Sequence, residues 1–256
     1  MDGLQEAVAL VTGGARGIGK AISAELVACG MKVILVDRDA EELLRAVDEV
    51  GDASTAIGIP ADITDADQVA SAVKQGSERF GTIRVLVNNA GISAYFDPVE
   101  MTEDDWDKVL SVDLKGAWVC ARSVIPGMRQ LGGGSIVNIA SIHARVTVGG
   151  MFPYAVAKTG LIGFTRSLAL DLAPENIRVN AVSPGWTRTQ LVQEWFDNQP
   201  DPEAAERSVL RVHPMGRICE PSEIATAVRF LASEAASGVT GAEIAVDAGL
   251  GARMPT

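Results

Sequence analysis

The main indication of the fold is a glycine-rich stretch, Thr12-Gly13-Gly14-Ala15-Arg16-Gly17-Ile18-Gly19. It follows a short apolar run, Ala7 to Val11, and precedes an apolar helical pattern from about Lys20 to Cys29. A strand, a glycine turn and a helix in this order form a phosphate site, because small residues let backbone N–H groups approach an anion at the positive end of the helix. The glycine spacing differs from the usual G-x-G-x-x-G pattern. The alternative interpretation is a tight turn that binds nothing.

Strand and helix patterns alternate along the rest of the chain. Further strand patterns occur at residues 32–36, 54–59, 84–87, 132–141, 177–182 and 243–246. Helical patterns occur at residues 40–50, 65–80, 103–129, 154–173 and 221–233, and Pro126 predicts a break in the third of them. Strands that alternate with helices at this spacing predict a parallel sheet with helices on both faces. We therefore expect a seven-stranded, doubly wound α/β fold in a single domain over residues 1–256.

An irregular insert at about residues 188–215 interrupts this alternation. It contains Trp195, Phe196 and the turn sequence Gln199-Pro200-Asp201-Pro202, followed by a charged helical pattern. An aromatic insert after a strand end is typical of a lid over a substrate pocket. The alternative is a surface excursion with no role in binding.

Composition limits the partners of the protein. The net charge of −11 argues against a nucleic-acid surface or an anionic membrane. No apolar run reaches the length of a membrane span, and the N-terminal sequence predicts no signal peptide. The three cysteines (Cys29, Cys120 and Cys219) lie far apart and suggest reduced thiols rather than disulfides or a metal site. These features predict a soluble cytoplasmic protein without a metal.

Asp37 is the candidate residue for cofactor choice. It ends the second strand pattern, eighteen residues after Gly19. A carboxylate there accepts hydrogen bonds from the adenosine ribose and repels a 2′-phosphate, which favours NAD over NADP. Arg38 weakens this prediction because an arginine can accommodate the phosphate. The alternative is that Asp37 only caps the helix that follows.

Tyr154 and Lys158 begin the helical pattern that stops at Pro174. Residues four apart share one face of a helix, and an ammonium beside a phenol favours the phenolate. Such a tyrosine exchanges protons with an alcohol near neutral pH. Ser141 lies thirteen residues before Tyr154, at the end of a strand pattern. Most Tyr–Lys pairs at this spacing are ordinary neighbours, so the pair is weak evidence alone.

Together the motifs resemble the short-chain dehydrogenase/reductase family, in its single-domain branch of about 250 residues. The resemblance covers nearly the whole chain and implies a Rossmann fold with NAD as cofactor. It rests on TGGARGIG at 12–19, Asp62, NNAG at 88–91, Ser141, Tyr154, Lys158, SPGWTRT at 183–189 and TGAEIAVDAG at 240–249. Each motif is modest alone, but their order and spacing together are very specific.

The resemblance also implies roles for individual residues. Tyr154 is the acid/base, Ser141 holds the substrate oxygen, and Lys158 binds the nicotinamide ribose. The implied cofactor residues are Gly13, Arg16, Ile18 and Gly19 at the pyrophosphate and adenosine, Asp62 and Ile63 at the adenine, Asn89 near the adenosine ribose, and Thr187 and Thr189 at the nicotinamide and phosphates. Family members usually form homotetramers through helices that correspond to residues 103–125 and 154–173.

Asp113 departs from the family pattern, which often has Asn at this position beside the lysine. An ionised carboxylate accepts hydrogen bonds but donates none. A carboxylate near Lys158 stabilises the ammonium and weakens its effect on Tyr154. We therefore count Asp113 among the catalytic residues and predict activity with an upward-shifted pH optimum.

The leading functional hypothesis is NAD-dependent oxidation of a secondary or hemiacetal alcohol, or reduction of the ketone. A small polar substrate such as a sugar or polyol is expected, in a pocket formed by His143, Trp186 and Trp195, with Arg145 and Arg188. Each of these five is alternatively a surface or packing residue. The rival functions are an NADPH-dependent 3-ketoacyl-thioester reductase and a catalytically silent nucleotide-binding scaffold.

Overall fold

The computed structural model describes residues 3–253 and contains the predicted parallel sheet. Its seven strands are β1 (Val8–Thr12), β2 (Lys32–Asp37), β3 (Ala56–Pro60), β4 (Ile83–Asn88), β5 (Gly134–Ile139), β6 (Ile177–Pro184) and β7 (Glu243–Val246). The strand order is β3-β2-β1-β4-β5-β6-β7, with every neighbouring pair parallel. The predicted fold class is therefore confirmed.

Helices cover both faces of this sheet. They are α1 (Gly17–Ala28), α2 (Ala40–Val50), α3 (Ala66–Phe80), α4 (Glu103–Leu110), α5 (Gly116–Gln130), α6 (Tyr154–Leu172), α7 (Gln190–Asp197), α8 (Pro202–Val212) and α9 (Pro221–Ala232). One core packs α1, α2 and α9 on the sheet, and a second core packs α3, α5 and α6 on the opposite face. Strands buried on both faces are apolar at almost every position, as in Val33 to Val36. Within residues 3–253, no helix is both long and apolar enough to span a membrane.

The order of the strands creates a ligand-binding edge between β1 and β4. The chain builds outward from β1 to β3, then returns to place β4 on the other side of β1. The register pairs Val11 with Val87, so the glycine turn after β1 and the Asn89 turn after β4 meet at one edge. Open parallel sheets bind ligands at such a point, outside the carboxyl ends of the strands.

The prediction of a break near Pro126 was wrong. Helix α5 continues through Pro126 to Gln130, and its buried face includes Val124 and Met128 on either side of the proline. A proline costs a helix one hydrogen bond, and here buried apolar contacts keep the helical path. The irregular segment lies earlier, as a π-helical turn at Ser111–Lys115 between α4 and α5. This turn contains the buried Asp113.

The insert after β6 folds into the helices α7 and α8. Thr189 caps α7 by accepting from the Val192 N–H at 3.3 Å, and Asp201 caps α8 by accepting from Ala204. Pro202 occupies the first position of α8, where its missing N–H costs nothing. Two short capped helices thus stand at the carboxyl edge of the sheet.

Candidate active site

Tyr154 and Lys158 are placed on one face at the start of α6. Lys158 Nζ lies 5.5 Å from the centre of the Tyr154 ring. Lys158 is only 4% exposed, and its ammonium donates a hydrogen bond to the Ile139 carbonyl at 3.2 Å. The end of β5 therefore anchors the lysine beneath the tyrosine.

Ser141 and His143 complete this group from the turn after β5. Ser141 is buried, and its Oγ accepts a hydrogen bond from the His143 backbone N–H at 3.2 Å. The His143 ring lies edge-on to the Tyr154 ring, with centroids 6.1 Å apart. Burial lowers the pKa of His143, which keeps the imidazole neutral at pH 7. The structure thus brings Ser141, His143, Tyr154 and Lys158 together.

Asp113 forms a buried ion pair with Lys158. Its Oδ2 lies 3.4 Å from Lys158 Nζ, and its Oδ1 accepts from the Ile92 N–H at 2.8 Å. Burial acts to lower the pKa of Lys158, but the charges of Asp113 and Tyr154 oppose it, and the net pKa is raised. The ammonium is therefore charged across the physiological pH range.

Asn89 holds the glycine turn in place. Its Nδ2 donates to the carbonyls of Thr12 and Gly13, both at 3.0 Å, which leaves only its oxygen for a ligand. A Cβ atom on Gly13 would lie 2.8 Å from that Nδ2, and one on Gly19 would lie 2.0 Å from the Gly13 oxygen. Only glycine fits at these two positions, so the turn is built for close backbone approach.

Thr12 is a positioning residue that the sequence analysis did not identify. Its side chain is buried, and its Oγ1 accepts from the N–H groups of Asn89 and Ala90 at 3.0 and 3.1 Å. The same hydroxyl donates to the Val87 carbonyl at 3.3 Å. Thr12 therefore joins the ends of β1 and β4, and no local sequence signal shows a contact between residues 75 or more positions apart.

A groove of about 130 Å³ begins at this edge. It contains four of the predicted adenosine-side residues, Gly13, Asp37, Asp62 and Ile63, but not Arg16, Ile18, Gly19 or Asn89. Its lining is Gly13, Val36, Asp37, Arg38, Ala61, Asp62, Ile63, Ala90, Gly91, Ile92 and Val112. The Asp62 carboxylate holds the turn before α3 by accepting from the Thr64 N–H at 2.8 Å.

Backbone N–H groups from two loops hold the carboxylate of Asp37. Its Oδ2 accepts from the Ala15 N–H at 3.3 Å and its Oδ1 from the Asp39 N–H at 3.2 Å. The cap of α2 is Asp39, which accepts from the Glu42 N–H at 3.1 Å. The alternative that Asp37 serves as the helix cap is therefore wrong, and its carboxylate faces the groove.

The residues at this edge fit a nicotinamide dinucleotide. Gly17 and Ile18 stand in the first turn of α1, whose leading N–H groups have no intrahelical partner. The crowded Gly13 and Gly19 positions leave the turn without side chains, as a pyrophosphate requires. The Arg16 side chain is directed to α2, where it pairs with Asp39 at 2.6 Å. Arg16 thus contributes its backbone rather than a free guanidinium.

Thr187 and Thr189 connect the insert after β6 to the glycine turn. A Cβ atom on Gly17 would lie 3.3 Å from Thr189 Cγ2, so the start of α7 adjoins the start of α1. Thr187 is buried, and its Oγ1 donates to the Gly185 carbonyl at 3.2 Å. Both threonines therefore lie where this insert follows the carboxyl end of β6.

Aromatic residues of the insert form one cluster with Trp186. The Trp186 ring lies 5.0 Å from Trp195 and is stacked on the buried Phe196 at 5.9 Å. Trp195 remains 41% exposed. The cluster therefore gives this part of the protein an apolar wall.

The two arginines expected in the pocket are occupied elsewhere. Arg145 pairs with Glu243 at 3.0 Å. Arg188 pairs with Glu206 of α8 at 2.7 Å and lies 3.7 Å from Glu220. Arg188 therefore joins the start of the insert to α8, and both guanidinium groups are partly paired with glutamates.

Comparison with known proteins identifies chains of the same size and fold. A family model described as enoyl-(acyl carrier protein) reductase matches residues 13–251. The 3-oxoacyl-acyl-carrier-protein reductase FabG of Thermotoga maritima is 39% identical, over 96% of this chain and 98% of that protein. The cis-4-hydroxycyclohexanecarboxylate dehydrogenase of Sinomonas cyclohexanicum is 38% identical, over 97% and 98%. The ligand-free structure of Thermoplasma acidophilum aldohexose dehydrogenase has a TM-score of 0.90 and 36% identity, over 99% and 97%.

Proposed function

The chain belongs to the short-chain dehydrogenase/reductase family, and we propose that it is an NAD-dependent dehydrogenase of a secondary or hemiacetal alcohol. Its relatives are oxidoreductases, and its fold implies a nicotinamide cofactor, either NAD or NADP. The observation that supports catalysis is the buried, charged Lys158 beneath Tyr154, with Ser141 at the same edge of the sheet. A protein that only binds nucleotide has no need of all three groups.

Tyr154 moves the proton in the proposed reaction. In the oxidation direction its oxygen takes the proton of the substrate hydroxyl, and in reduction it returns that proton. The charge of Lys158 stabilises the phenolate that this exchange requires. The nicotinamide, when bound, takes up or releases the hydride on the substrate carbon.

The Ser141 hydroxyl is placed to donate its proton to the substrate oxygen. Because its Oγ already accepts from the His143 N–H, its own proton is free to bind the substrate oxygen. Ser141 then holds that oxygen toward Tyr154 and away from solvent.

Lys158 retains one donor for the cofactor. An ammonium has three N–H bonds, of which one points to the Ile139 carbonyl and one faces Asp113. The third is available for the hydroxyls of the nicotinamide ribose. The two protein contacts fix the position of the nitrogen for that purpose.

Two features support NAD rather than NADP, and one opposes it. Asp37 presents a carboxylate to the groove, where it favours ribose hydroxyls and repels a 2′-phosphate. The guanidinium of Arg16 is paired with Asp39 and with Glu42, at 2.6 and 3.4 Å, and is not free to bind the phosphate. Arg38 is the one nearby residue that favours NADP, since it lines the same groove.

The proposed substrate is a small polar hydroxy compound such as a sugar or polyol. The aldohexose dehydrogenase likeness supports a sugar, and the hydroxycyclohexanecarboxylate dehydrogenase likeness supports a secondary ring alcohol. The neutral His143 beside Tyr154 supplies a polar wall, and Trp186 and Trp195 supply an apolar one. The FabG likeness favours the second candidate function, reduction of a 3-ketoacyl thioester.

We further propose that the chain forms a single domain in which α7 and α8 serve as the lid. We also propose that the protein is a homotetramer and lies in the cytoplasm. The tetramer contact would use α4, α5 and α6, on which Trp118, Val156 and Leu170 are exposed. The unpaired cysteines agree with a reducing compartment.

A spectrophotometric assay at 340 nm tests the proposed function. The purified protein receives NAD⁺ or NADP⁺ with aldoses, polyols and cyclic alcohols, and NADPH or NADH with a 3-ketoacyl thioester. Tyr154→Phe should reduce turnover by roughly 10²- to 10⁴-fold while NADH binding, followed by fluorescence, is kept. Tyr95→Phe, at the only other tyrosine, is the matched control. Faster turnover of the thioester with NADPH would favour the second candidate, and Tyr154→Phe without effect would overturn both.

A further inference from the structure

A second and larger cavity lies at the opposite edge of the sheet. Its volume is about 360 Å³, and it opens where β4, β5 and β6 begin, beside the end of α9. Because all strands are parallel, this edge is remote from the groove at the carboxyl ends. Nothing in the proposed dehydrogenase reaction uses this cavity.

Two arginines line the cavity. Arg84 is the second residue of β4, and Arg178 is the second residue of β6. The strand β5 separates them, with Ser135 paired to Val85 on one side and to Arg178 on the other. Among residues 3–253, no carboxylate oxygen lies within 4.0 Å of either guanidinium, although Glu234 also lines the cavity. Within the described residues, neither guanidinium therefore has a carboxylate partner at ion-pair distance.

Arg178 uses only some of its hydrogen-bond donors within the protein. It donates to the carbonyls of Leu231, Ala232 and Ser233, at 2.7, 3.4 and 3.1 Å, at the end of α9. These bonds use three of its five N–H donors. Burial lowers the pKa of Arg178, and the positive charge of Arg84 lowers it further. An anion between the two arginines would relieve this repulsion.

We propose that the cavity between Arg84 and Arg178 binds a small oxyanion, a phosphate or carboxylate group carried by a metabolite. Guanidinium groups present paired donors that match the oxygens of both groups. Gly132 and Gly133 form part of the wall with backbone at φ +71° and +157°, so the ligand meets little side-chain bulk there. The volume accommodates the anionic group with a few attached atoms. The net charge of −11 makes this local positive site stand out from the rest of the protein.

Thermal unfolding of the full-length protein tests the site. Melting temperatures are measured in inorganic phosphate and in chloride of equal ionic strength, for the parent, Arg84→Gln and Arg84→Asp. Lys74→Gln, at an exposed lysine of α3 outside the cavity, is the control for loss of one positive charge. The comparison between variants separates this cavity from phosphate bound at the glycine turn.

We expect phosphate at about ten times its dissociation constant to raise the melting temperature of the parent by roughly 2–4 °C more than chloride. Lys74→Gln should keep this increment and Arg84→Gln should lose it. Arg84→Asp places a carboxylate beside Arg178, so it should melt above the parent in chloride and respond least to phosphate. An increment of equal size in the parent and Arg84→Gln would overturn the proposal, as would its absence from the parent in both phosphate and succinate.

A parallel series in succinate identifies the anion chemistry. If the Arg84-dependent rise in melting temperature is larger in phosphate, the site is assigned to phosphorylated compounds. If the rise is larger in succinate, the site is assigned to carboxylates. Either result supports the site. Equal increments in sulfate, phosphate and succinate that survive Arg84→Gln would show nonspecific anion binding and would reject it.

Discussion

Lys158 Nζ lies 3.4 Å from Asp113 Oδ2, and the two side chains are 5% and 0% exposed. The nitrogen that should stabilise the Tyr154 phenolate therefore shares its charge with a buried carboxylate. In a water-poor environment this partner has a strong effect, since each charge is poorly screened. The relationship also requires the π-helical turn at Ser111–Lys115, which contains Asp113.

Replacing Asp113 by Asn should lower the pH optimum of alcohol oxidation by roughly one pH unit. The neutral amide no longer offsets the charge of Lys158, so the phenolate forms at lower pH. The amide oxygen can still accept from the Ile92 N–H, which keeps the geometry. The measurement is a pH profile of kcat and kcat/KM. Asp107→Asn, at an exposed position of α4, is the control, and coincident profiles of Asp113→Asn and the parent would contradict the prediction.

Replacing Asp37 by Ser should shift cofactor preference from NAD toward NADP. The substitution removes both the acceptor for the ribose hydroxyls and the charge that repels a 2′-phosphate. We expect the ratio of kcat/KM for the two cofactors to change by at least about tenfold, which corresponds to about 1.4 kcal/mol. Asp48→Ser, an exposed aspartate of α2, removes the same charge away from the groove. If the ratio stays constant, Arg38 rather than Asp37 decides the cofactor.

Replacing Glu206 by Gln should loosen the lid. The change removes the 2.7 Å ion pair with Arg188 and leaves only the longer contact to Glu220. The pair is partly exposed, so the free energy of unfolding should fall by less than about 1 kcal/mol. Substrate KM should rise several-fold, because Arg188 no longer holds α8 in place over the pocket. Glu203→Gln breaks a surface pair on the same helix and should leave KM unchanged, and equal effects of both variants would argue against a lid.

Glu223 should make stability depend on acid pH. A hydrogen bond from Arg217 and another from the Glu220 N–H lower the pKa of Glu223 from 4.5 to about 2. A lowered pKa in the folded state means that the stabilisation is complete above pH 4.5 and is lost as pH falls toward 2. Glu223→Gln should therefore destabilise the protein by up to about 1 kcal/mol at pH 7 through loss of the ion pair with Arg217, whereas its amide oxygen can still accept from the Glu220 N–H.

Urea unfolding at pH 7, 5, 4 and 3 measures this effect. The difference between the parent and Glu223→Gln should be constant from pH 7 to 5 and shrink below pH 4.5. Glu100→Gln, at an exposed glutamate, should show no such pH dependence. A difference that stays constant down to pH 3 would show that the contribution of Glu223 is not electrostatic.

The fold could be predicted from the sequence because its signals are local. Apolar runs such as Leu10–Val11 and Val33–Val36 are buried on both faces, and helical spacing separates them. Pro126 misled the prediction because the cost of a proline inside a helix, about 3 kcal/mol, is offset here by the burial of Val124 and Met128 on either side of it. The cost of a proline in a helix can be read from the local sequence. The packing that offsets it involves residues distant in the chain.

The candidate site could be predicted only in its residue types. Ser141, Tyr154 and Lys158 were identified from spacing and resemblance, and the structure brings them together. Arg145 and Arg188, which are expected in the substrate pocket, pair in the structure with Glu243 and Glu206. Which glutamate pairs with a given arginine depends on distances in the folded protein, and the positions of the residues along the sequence do not give those distances.

The alternation of strands and helices, the glycine turn and the set of chemical groups follow from the sequence, because backbone sterics and apolar periodicity act over a few residues. The folded chain is needed to see that Asn89 holds the glycine turn, that Asp113 contacts Lys158, and that Arg84 and Arg178 line one cavity. These contacts join residues 45 or more positions apart. Their free energy depends on burial and on distances of a few ångströms, which the chain acquires only when it is folded.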